Sequence, residues 1–416
     1  MASEPTGITL PTDVPVSATS VGRATASTTI VPVLAAVSLC HGLNDLMQSL
    51  LPAAYPVLHR DFALSFGQIG LLSLIYQITA SILQPLVGLY TDHRPQPYSL
   101  PFAMLASMTG LLTLAFGPNF HTLLLGAALL GLGSSIFHPE SSRIARLASG
   151  GAHGLAQSVF QVGGNLGSAL GPLAAAFVVL PRGQHGLAWA TPVALTGIVV
   201  MSGLSRWYRG TGHATRSTTR VGARHPEVSS TQVWRAMAVL VMLLFSKYIY
   251  LASITNYYPF YLMERFGLTA KTAQLYQFVF FAAVAIGTIL GGPIGDRIGR
   301  KRVIWVSILG VLPFTLALPH VGLTTTAVLS VIIGLFIASA FPAIVVYAQE
   351  LIPGRTGMVS GVFFGLAFGI GGIGAALLGG LADRAGISFV YQLCAFLPAL
   401  GLLTALLPSI ERRAHD

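Results

Sequence analysis

The amino-acid sequence predicts an all-α membrane protein with twelve transmembrane helices in two pseudo-symmetric six-helix halves. Composition is the first reason: of 416 residues, 53% are hydrophobic and only 9% are charged, whereas an average soluble domain has about 25% charged residues. The second reason is that apolar runs of about 20 residues, the length needed to cross a bilayer, follow one another along the chain. The third is an internal repeat, in which positions of the first half recur in the second.

The order of the apolar runs gives the elements. Residues 1–28 are rich in Ser, Thr, Pro and Gly, and we expect them to form a flexible cytoplasmic tail. The pattern then predicts helices over 30–58, 66–91, 99–118, 120–142, 154–181, 186–208, 234–263, 271–295, 303–319, 321–350, 357–382 and 388–409. Strands of a membrane β-barrel would instead alternate apolar and polar residues in short segments. The predicted domains are a tail at 1–28, a first half at 29–208, a cytoplasmic central loop at 209–232, a second half at 233–410 and a cytoplasmic tail at 411–416.

The 23 Lys and Arg residues test this topology, because cations near span ends collect on the cytoplasmic side of a membrane. With the N-terminus inside, 17 of them fall in cytoplasmic segments and five in outer loops. The remaining cation, Lys247, lies within a predicted helix. This split predicts a multi-pass protein of the bacterial inner membrane with both termini in the cytoplasm. It also accounts for the net charge of +10 without nucleic-acid binding.

Six pairs of identical residues define the internal repeat. Each pair is separated by 203 or 204 positions: Tyr55 and Tyr258, Phe62 and Phe266, Gly88 and Gly292, Asp92 and Asp296, Pro139 and Pro342, and Gly154 and Gly357. Two related six-helix halves with a binding site between them, near the membrane midplane, are a known plan of secondary transporters. We therefore expect a small molecule to bind between the halves.

The end of the eighth predicted helix carries glycines and charges in the compact run GPIGDRIGRK, residues 292–301. This run resembles the loop signature of the major facilitator superfamily, and the first half keeps a reduced form of it. Glycines allow two helices to approach closely, and an aspartate beside cations can form a charge network that differs between conformations. The predicted gating residues are Gly88, Asp92, Gly292, Asp296, Arg297, Gly299 and Arg300. Ordinary helix-end capping is the alternative, and we expect Asp383, in a third Gly-x-x-x-Asp, to contribute much less to gating.

Two ionisable residues lie near the centres of predicted helices, where a charge costs about 2.5–3.5 kcal/mol on insertion scales and normally faces a cavity or a partner. Asp45 lies in the first helix, with His41, Asn44 and Gln48 on the same side, and Lys247 lies in the seventh. The repeat places Asp45 and Lys247 at similar depth on symmetry-related helices. They could form either a static ion pair or a pair that breaks when substrate or protons bind.

The fifth predicted helix has two unlike faces. Amide side chains follow one side, and Gly163, Gly167 and Gly171 follow roughly the opposite side at helical spacing. We expect the glycine face to pack against another helix and the amides to face a wet cavity, although interhelical hydrogen bonds alone would also satisfy the amides. The predicted cavity residues are Asn44, Gln48, Arg143, Gln157, Gln161, Asn165, Tyr250, Asn256 and Tyr257.

The fourth predicted helix ends in a polar run that includes His138, Glu140 and Arg143. Pro139 removes a helical hydrogen bond there, and we expect it to open the helix. The candidates for proton coupling are Asp45, Lys247, His41, Glu140 and His138. Neither His138 nor Glu140 has metal-ligand spacing with other residues, and no His-Glu-x-x-His occurs. The sequence therefore indicates no metal and no cofactor.

Longer runs resemble one branch of the superfamily, the fosmidomycin-resistance proteins. They are residues 43–45, 137–143, 157–171, 245–248 and 347–350. The resemblance implies an inner-membrane exporter that exchanges an antibiotic for protons. The expected partners are a small-molecule substrate, protons and the lipid bilayer, with a monomer as the functional unit.

Other functions remain open at this point. The same scaffold could be a proton symporter or a uniporter for a small metabolite. A membrane enzyme would need a nucleophile and a base, or a metal cluster, in one cavity, and His41 with Asp45 has no evident Ser or Cys partner. A transporter-like receptor would be expected to carry an added soluble domain.

Overall fold

The structure, a computed structural model, describes residues 29–94, 96–150, 153–210, 229–352 and 356–408. Within these ranges it is helical and contains no β-strand, so the predicted all-α membrane fold class is confirmed. The two predicted tails and most of the predicted central loop lie outside the described residues. The division into two halves stays a prediction.

Sixteen α-helices lie within the described ranges. They are α1 (Val31–Ala53), α2 (Tyr55–Phe62), α3 (Phe66–His93), α4 (Ser99–Phe116), α5 (Phe120–Leu147), α6 (His153–Ala174), α7 (Leu180–Arg182), α8 (Thr191–Gly210), α9 (Ser230–Phe266), α10 (Ala270–Ile298), α11 (Arg300–Ile308), α12 (Leu312–Ala317), α13 (Leu323–Ala338), α14 (Ala340–Leu351), α15 (Thr356–Ala385) and α16 (Ile387–Cys394). A π-helical turn covers Ala175–Val179, and 3₁₀ turns cover Gly183–Ala190, Leu309–Val311, Leu318–His320 and Leu397–Leu406.

Ten helical segments of the described chain are long and apolar enough to cross a membrane. One of them, Ala156–Gly210, has 55 residues, or about 80 Å of helix at 1.5 Å per residue. This length suits two crossings of a hydrocarbon layer about 30 Å thick, and Gly183, with φ +65°, interrupts it. Helix α1 is outside the set of ten, and it carries four polar residues of the predicted site. With these adjustments the described helices are consistent with twelve spans.

Several boundaries differ from the predicted ones. Helix α5 continues through Pro139 to Leu147, five residues beyond its predicted end at 142. Helix α9 is longer at both ends than predicted, because Ser229 and Gln232 form a capping box at its start and Gly267, in the left-handed conformation, ends it. The last span changes from α-helix to 3₁₀-helix after Cys394.

The two ends of the helix bundle are distinguished by the central loop. We call the end at which α8 finishes and α9 begins the loop end, and the end at which α3 begins and α15 finishes the far end. At the loop end, Thr29 Oγ1 donates a hydrogen bond to the backbone oxygen of Ser149, which joins the start of α1 to the end of α5. At the far end, Gln274 of α10 donates to the backbone oxygen of Ala53 at the end of α1.

Helices α1 and α6 pack along each other through small residues. A Cβ atom added at Gly163 would lie 2.0 Å from the backbone oxygen of Ser38, and one at Gly167 would lie 2.1 Å from that of Gly42. Only hydrogen fits at these two positions. The predicted packing of the glycine face is therefore confirmed, and it holds the polar side of α1 in a fixed position.

Helix α3 packs along both α5 and α15. Ser81 of α3 donates a hydrogen bond to the backbone oxygen of Gly365 at 2.8 Å, so a polar contact joins α3 to α15 within the bundle. Together with the α1–α6 contact, this arrangement brings the polar residues of α1, α3 and α5 to neighbouring positions.

Candidate functional site

The centre of the candidate site is a cluster of three side chains from two helices, which we call the histidine–aspartate cluster: His41 and Asp45 of α1, and His138 of α5. His41 Nε2 lies 3.3 Å from Asp45 Oδ2, and His138 Nε2 lies 3.5 Å from Asp45 Oδ1. His41 and Asp45 are one helical turn apart, and α5 brings His138 to the other carboxylate oxygen. The imidazole rings are perpendicular, with centroids 5.3 Å apart.

The other nitrogen of each imidazole faces a backbone carbonyl. His41 Nδ1 lies 2.8 Å from the oxygen of Phe160 on α6, and the Phe160 ring stacks on the His41 ring with centroids 3.9 Å apart. His138 Nδ1 lies 2.9 Å from the oxygen of Ser134, one turn earlier in α5. These contacts orient both Nε2 atoms toward Asp45.

The sequence predicts that the protein has no metal site, and the geometry of the cluster bears on that prediction. One nitrogen from each histidine and one oxygen from Asp45 lie within 4.8 Å of one another, which is a spacing that a metal ion could bridge. The spacing of these residues in the sequence does not indicate the group, because its members come from two separate helices. Among the described residues it is the one group of three or more His, Cys, Asp or Glu side chains with this spacing.

Lys247 does not contact Asp45, so the expected pair is absent from this conformation. Both carboxylate oxygens of Asp45 face histidines, and among the described residues no acidic group lies within 4 Å of the Lys247 ammonium. That ammonium lies 5.5 Å from the centre of the Tyr248 ring and 5.6 Å from that of Phe341. The Lys247 side chain is buried, and it lines a small void together with Tyr250 and Ser246.

The amide residues of α1 join the neighbouring helices. Asn44 Nδ2 donates to Asp45 Oδ1 at 3.1 Å. Gln48 Oε1 accepts from the Tyr76 hydroxyl of α3 at 2.6 Å and from the Ser134 hydroxyl of α5 at 3.2 Å. Asn44 Oδ1 and Gln48 Nε2 are buried without a hydrogen-bond partner among the described residues.

The amides of α6 are less enclosed. Gln157 is exposed, and Gln161 and Asn165 are half-buried. Asn165 Nδ2 is buried without a hydrogen-bond partner in the described part of the chain, whereas Gln157 Oε1 lies 3.4 Å from the Ser142 hydroxyl of α5. These three residues therefore extend the polar side of the site along α6.

Two predicted cavity residues of α9 take part in contacts between helices instead. The Asn256 Oδ1 atom accepts from the Ser73 hydroxyl of α3, and the Tyr257 hydroxyl donates to the backbone oxygen of Ala375 on α15 at 2.6 Å. Both residues are fully buried. Tyr250 does lie beside Lys247 as predicted, because the two residues are separated by about one helical turn.

Glu140 and Arg143 lie nearer the loop end than the histidine–aspartate cluster does. Arg143 Nη1 is 3.1 Å from Glu140 Oε1, and the same guanidinium donates to the backbone oxygen and the hydroxyl of Thr91 at the end of α3. Cations are favoured at this position, because helix C-termini carry partial negative charge. In this conformation Arg143 therefore joins α5 to α3 and does not line the centre of the site.

The residues of the predicted gating motif lie at the loop end. Asp92 is near the end of α3 and Asp296 near the end of α10, and the side chains of both aspartates are outside the described part of the structure. Gly292 lies in α10. In the described part of the structure a Cβ added at Gly88 would meet no atom within 4 Å, so no close contact between described helices explains this glycine. Arg297 is exposed.

The last residues of that motif, Gly299 and Arg300, have a clearer structural role. Gly299, with φ +91°, occupies a left-handed turn between α10 and α11 that favours glycine. Arg300, the first residue of α11, lies 4.0 Å from the Glu350 carboxylate of α14. This part of the motif therefore connects helices of the second predicted half.

Sequence patterns did not indicate several residues that shape the site. Gly164 of α6 passes so close to the cluster that a Cβ there would lie 2.5 Å from His41 Nε2 and 2.8 Å from Asp45 Oδ2. Tyr76 and Ser134 hold Gln48. In the sequence, Gly164 is one glycine of a glycine-rich run, and Tyr76 and Ser134 are single hydroxyl residues in apolar helices. Their role depends on which helices pack together, and the sequence pattern does not show that.

Comparisons with known proteins identify the family of this chain. A family model for the Major Facilitator Superfamily matches residues 37–373 and 243–415. The chain belongs to the major facilitator superfamily. It is therefore a multi-pass membrane transporter, and its family and fold point away from an enzyme.

Two relatives of this superfamily member span nearly its whole length. It is 56% identical over 376 residues to the fosmidomycin resistance protein of Escherichia coli (strain K12), covering 90% of this chain and 92% of the relative. It is 43% identical over 387 residues to the uncharacterized MFS-type transporter YfnC of Bacillus subtilis (strain 168), covering 92% and 95%. The predicted fosmidomycin-resistance branch of the superfamily is confirmed.

Solved structures of superfamily members share the fold. A bacterial homolog of the human lysosomal transporter Spinster, in an inward-facing and occupied conformation, has a TM-score of 0.69 at 15% identity, covering 91% of this chain and 94% of that one. The nucleoside transporter NupG has a TM-score of 0.73 at 12% identity, covering 90% and 100%. At these identities the likeness concerns the fold alone.

Proposed function

We propose that this transporter exports fosmidomycin and related small anionic compounds across the bacterial inner membrane in exchange for protons. The observation that carries the proposal is the 56% identity over 90% of the chain to a protein named for fosmidomycin resistance. A membrane transporter can confer resistance by moving the compound out of the cytoplasm. The split of cations supports an orientation with the central loop inside.

Lys247 is the proposed binding group for the substrate anion. Its side chain is 5% exposed, and no acidic side chain of the described residues neutralises it. A buried cation without an acidic partner is costly, and a phosphonate oxygen would supply a short charge-assisted hydrogen bond. Tyr248 and Phe341 enclose the ammonium on two sides, and Tyr250 lies beside it.

Asp45 is the proposed coupling acid. Its contacts are with two histidines and Asn44, not with Lys247, so the anion and the proton have separate binding groups. In an exchange cycle the carrier binds substrate when it opens to the cytoplasm and accepts a proton when it opens outward. Separate groups let each ligand stabilise one of these conformations.

Transport in vesicles with an imposed pH gradient tests this proposal. In proteoliposomes with an acidic interior, we expect the purified and reconstituted parent protein to accumulate fosmidomycin, and a protonophore to abolish the accumulation. Accumulation driven by an alkaline interior would indicate symport instead. Accumulation that is insensitive to the gradient would indicate a uniporter, and either result would overturn the exchange mechanism.

Lys247→Met tests the anion site in the same vesicles. We expect at least a tenfold fall in the rate at low fosmidomycin concentration, because the variant loses the buried cation that is proposed to bind the anion. Lys271→Met is the matched control, since Lys271 is an exposed lysine at the far end, and it should transport as the parent does. If Lys247→Met also transports normally, the anion binds elsewhere.

A further inference from the structure

We propose that the histidine–aspartate cluster is the proton-binding site of the transporter, and that its closed geometry requires a proton between an imidazole Nε2 and the Asp45 carboxylate. This inference rests on the proposed proton coupling for its role in transport. The protonation of the cluster itself follows from hydrogen-bond geometry, and it can be measured without any substrate.

The backbone fixes the tautomer of both histidines. A carbonyl oxygen only accepts hydrogen bonds, so His41 Nδ1, 2.8 Å from the oxygen of Phe160, must carry a hydrogen and donate it. His138 Nδ1 lies 2.9 Å from the backbone oxygen of Ser134 and 3.3 Å from the Ser134 hydroxyl. Because that hydroxyl donates its hydrogen to Gln48, the same reasoning applies to His138 Nδ1 and the backbone oxygen. In a neutral imidazole the second nitrogen is then an acceptor. Both neutral rings would therefore direct an Nε2 lone pair at Asp45.

Asp45 cannot satisfy those two lone pairs when it is ionised, because a carboxylate is also only an acceptor. At 3.3 Å and 3.5 Å, both contacts would be repulsive in the proton-free cluster. One added proton, on either Nε2 or the carboxylate, makes one contact a hydrogen bond. A second added proton does the same for the other contact. The closed cluster is thus the protonated form, and losing its protons favours separation of α1 from α5.

Burial decides which side of the cluster can exchange protons. The His41 side chain is 3% exposed, whereas those of Asp45 and His138 are 17% and 20% exposed. Gly164 and Phe160 of α6 cover the His41 side. Protons therefore enter and leave through Asp45 and His138, and His41 acts as the enclosed partner.

Few other titratable groups face the cluster from the helices around it. Tyr76 of α3 faces Asp45 and donates its hydroxyl hydrogen to Gln48. On α5, Glu140 is engaged by Arg143. From α6 the cluster meets the backbone of Phe160 and Gly164, and from α15 the ring of Phe368, 6.2 Å from His138. Among the described residues no other acid or base forms an ion pair with the three.

Nuclear magnetic resonance of the full-length protein in lipid bilayers, labelled with ¹⁵N and ¹³C in histidine, tests the proposal. The His41 and His138 signals are assigned by their loss in His41→Gln and His138→Gln. At high pH we expect both rings to carry hydrogen on Nδ1 only. On acidification we expect Nε2 of at least one ring to become protonated, and the midpoint to move to lower pH in Asp45→Asn, because that variant removes the negative charge.

His185→Gln is the matched control. His185 is exposed at the far end, so this variant should leave the titration of the other two rings unchanged. Hydrogen on Nε2 with a bare Nδ1 in either ring at high pH would contradict the tautomer argument. An Nε2 that stays unprotonated until a chelator is added would show that the cluster holds a metal ion, and this too would overturn the proposal.

A second measurement separates this inference from the proposed function. Binding of fosmidomycin to the parent in detergent should release about one proton, counted by calorimetry in buffers of different ionisation enthalpy. His138→Gln should bind fosmidomycin and release fewer protons. If fosmidomycin binds with no release but the cluster titrates as expected, the cluster binds protons without coupling. If fosmidomycin does not bind at all, the proposed substrate fails, and the titration still tests the cluster.

Discussion

At the scale of single residues, the position of Asp45 in the sequence predicts that it is functional but not which partners it has. An ionisable side chain in the middle of an apolar membrane helix is energetically costly, and such residues normally have a function. Its actual partners, His41 and His138, share it because α1 and α5 are held together by packing. The repeat relates Asp45 to Lys247 by depth, and equal depth on two helices does not make two side chains touch.

Gly164 is the residue on which the geometry of the cluster most depends. Replacing it with alanine would put a Cβ atom 2.4 Å from His41 Cε1 and 2.8 Å from Asp45 Oδ2, so α6 or the cluster must move. Overpacking of this kind costs about 1–3 kcal/mol. We expect Gly164→Ala to lower the thermal unfolding temperature in detergent and to reduce transport.

Gly203→Ala provides the comparison for that variant. Gly203 is exposed on α8, and a Cβ there would meet no atom within 4 Å. Alanine is favoured over glycine in a helix by about 0.5–1 kcal/mol. The unfolding temperature of Gly203→Ala should therefore equal that of the parent or be slightly higher. Equal stability and equal transport for the two alanine variants would contradict the packing seen around the cluster.

At the scale of elements, the far end is joined by a contact that the sequence does not emphasise. Asp383, near the end of α15, accepts hydrogen bonds from the backbone nitrogens of Phe66 and Gly67 at the start of α3, at 2.7 Å and 2.8 Å. A carboxylate at a helix N-terminus is favoured by unpaired N–H groups and by the helix dipole. Because Tyr257 of α9 also bonds α15 nearby, three helices meet there.

Asp383→Asn should weaken this far-end contact while preserving side-chain shape. One amide oxygen can accept only part of what the charged carboxylate accepts, and the interaction with the helix dipole is lost. We expect spin labels at the far-end positions His121 and Glu264 to give an added component at longer distance in pulsed electron resonance measurements.

Asp61→Asn serves as the control for that experiment. Asp61 is another far-end acid, but its ion pair is with the adjacent Arg60 at 2.7 Å, so it joins no separate helices. Its distance distribution should match that of the parent. If Asp383→Asn also matches the parent, the Asp383 contact does not hold the far end closed.

At the scale of the whole molecule, the described polar contacts differ between the two ends. At the far end they connect helices of the first predicted half to those of the second, as in Gln274 with Ala53 and Asp383 with Gly67. At the loop end, the contacts of Arg143 with Thr91 and of Arg300 with Glu350 join helices within one predicted half. The distribution fits a carrier whose far end is closed in this conformation.

The proposed membrane orientation can be tested by chemical labelling. We expect a cysteine at His185 to react with a membrane-impermeant maleimide in intact spheroplasts, because the cation split places the far end outside. A cysteine at Thr231, exposed beside the loop end, should react only in inside-out vesicles. Cys40 and Cys394 are buried and should contribute little background. The reverse labelling pattern would contradict a cytoplasmic central loop.

The sequence by itself determined the fold class and the branch of the superfamily, because these depend on properties that accumulate along the chain. Hydropathy separates the spans, and the long runs around Asp45, His138 and Lys247 carry the family resemblance. Each of these signals is local, and local patterns need no knowledge of which helices touch.

Only the tertiary structure decided the partners. The cluster of His41, Asp45 and His138 exists because the glycines of α6 let α1 approach closely and α5 packs beside them. In the same way, the far-end contacts of Tyr257 and Asp383 exist because α9, α15 and α3 meet there in the folded protein. A hydrogen bond depends on a few tenths of an ångström and on direction, and helical spacing in a sequence fixes neither between helices that are distant along the chain.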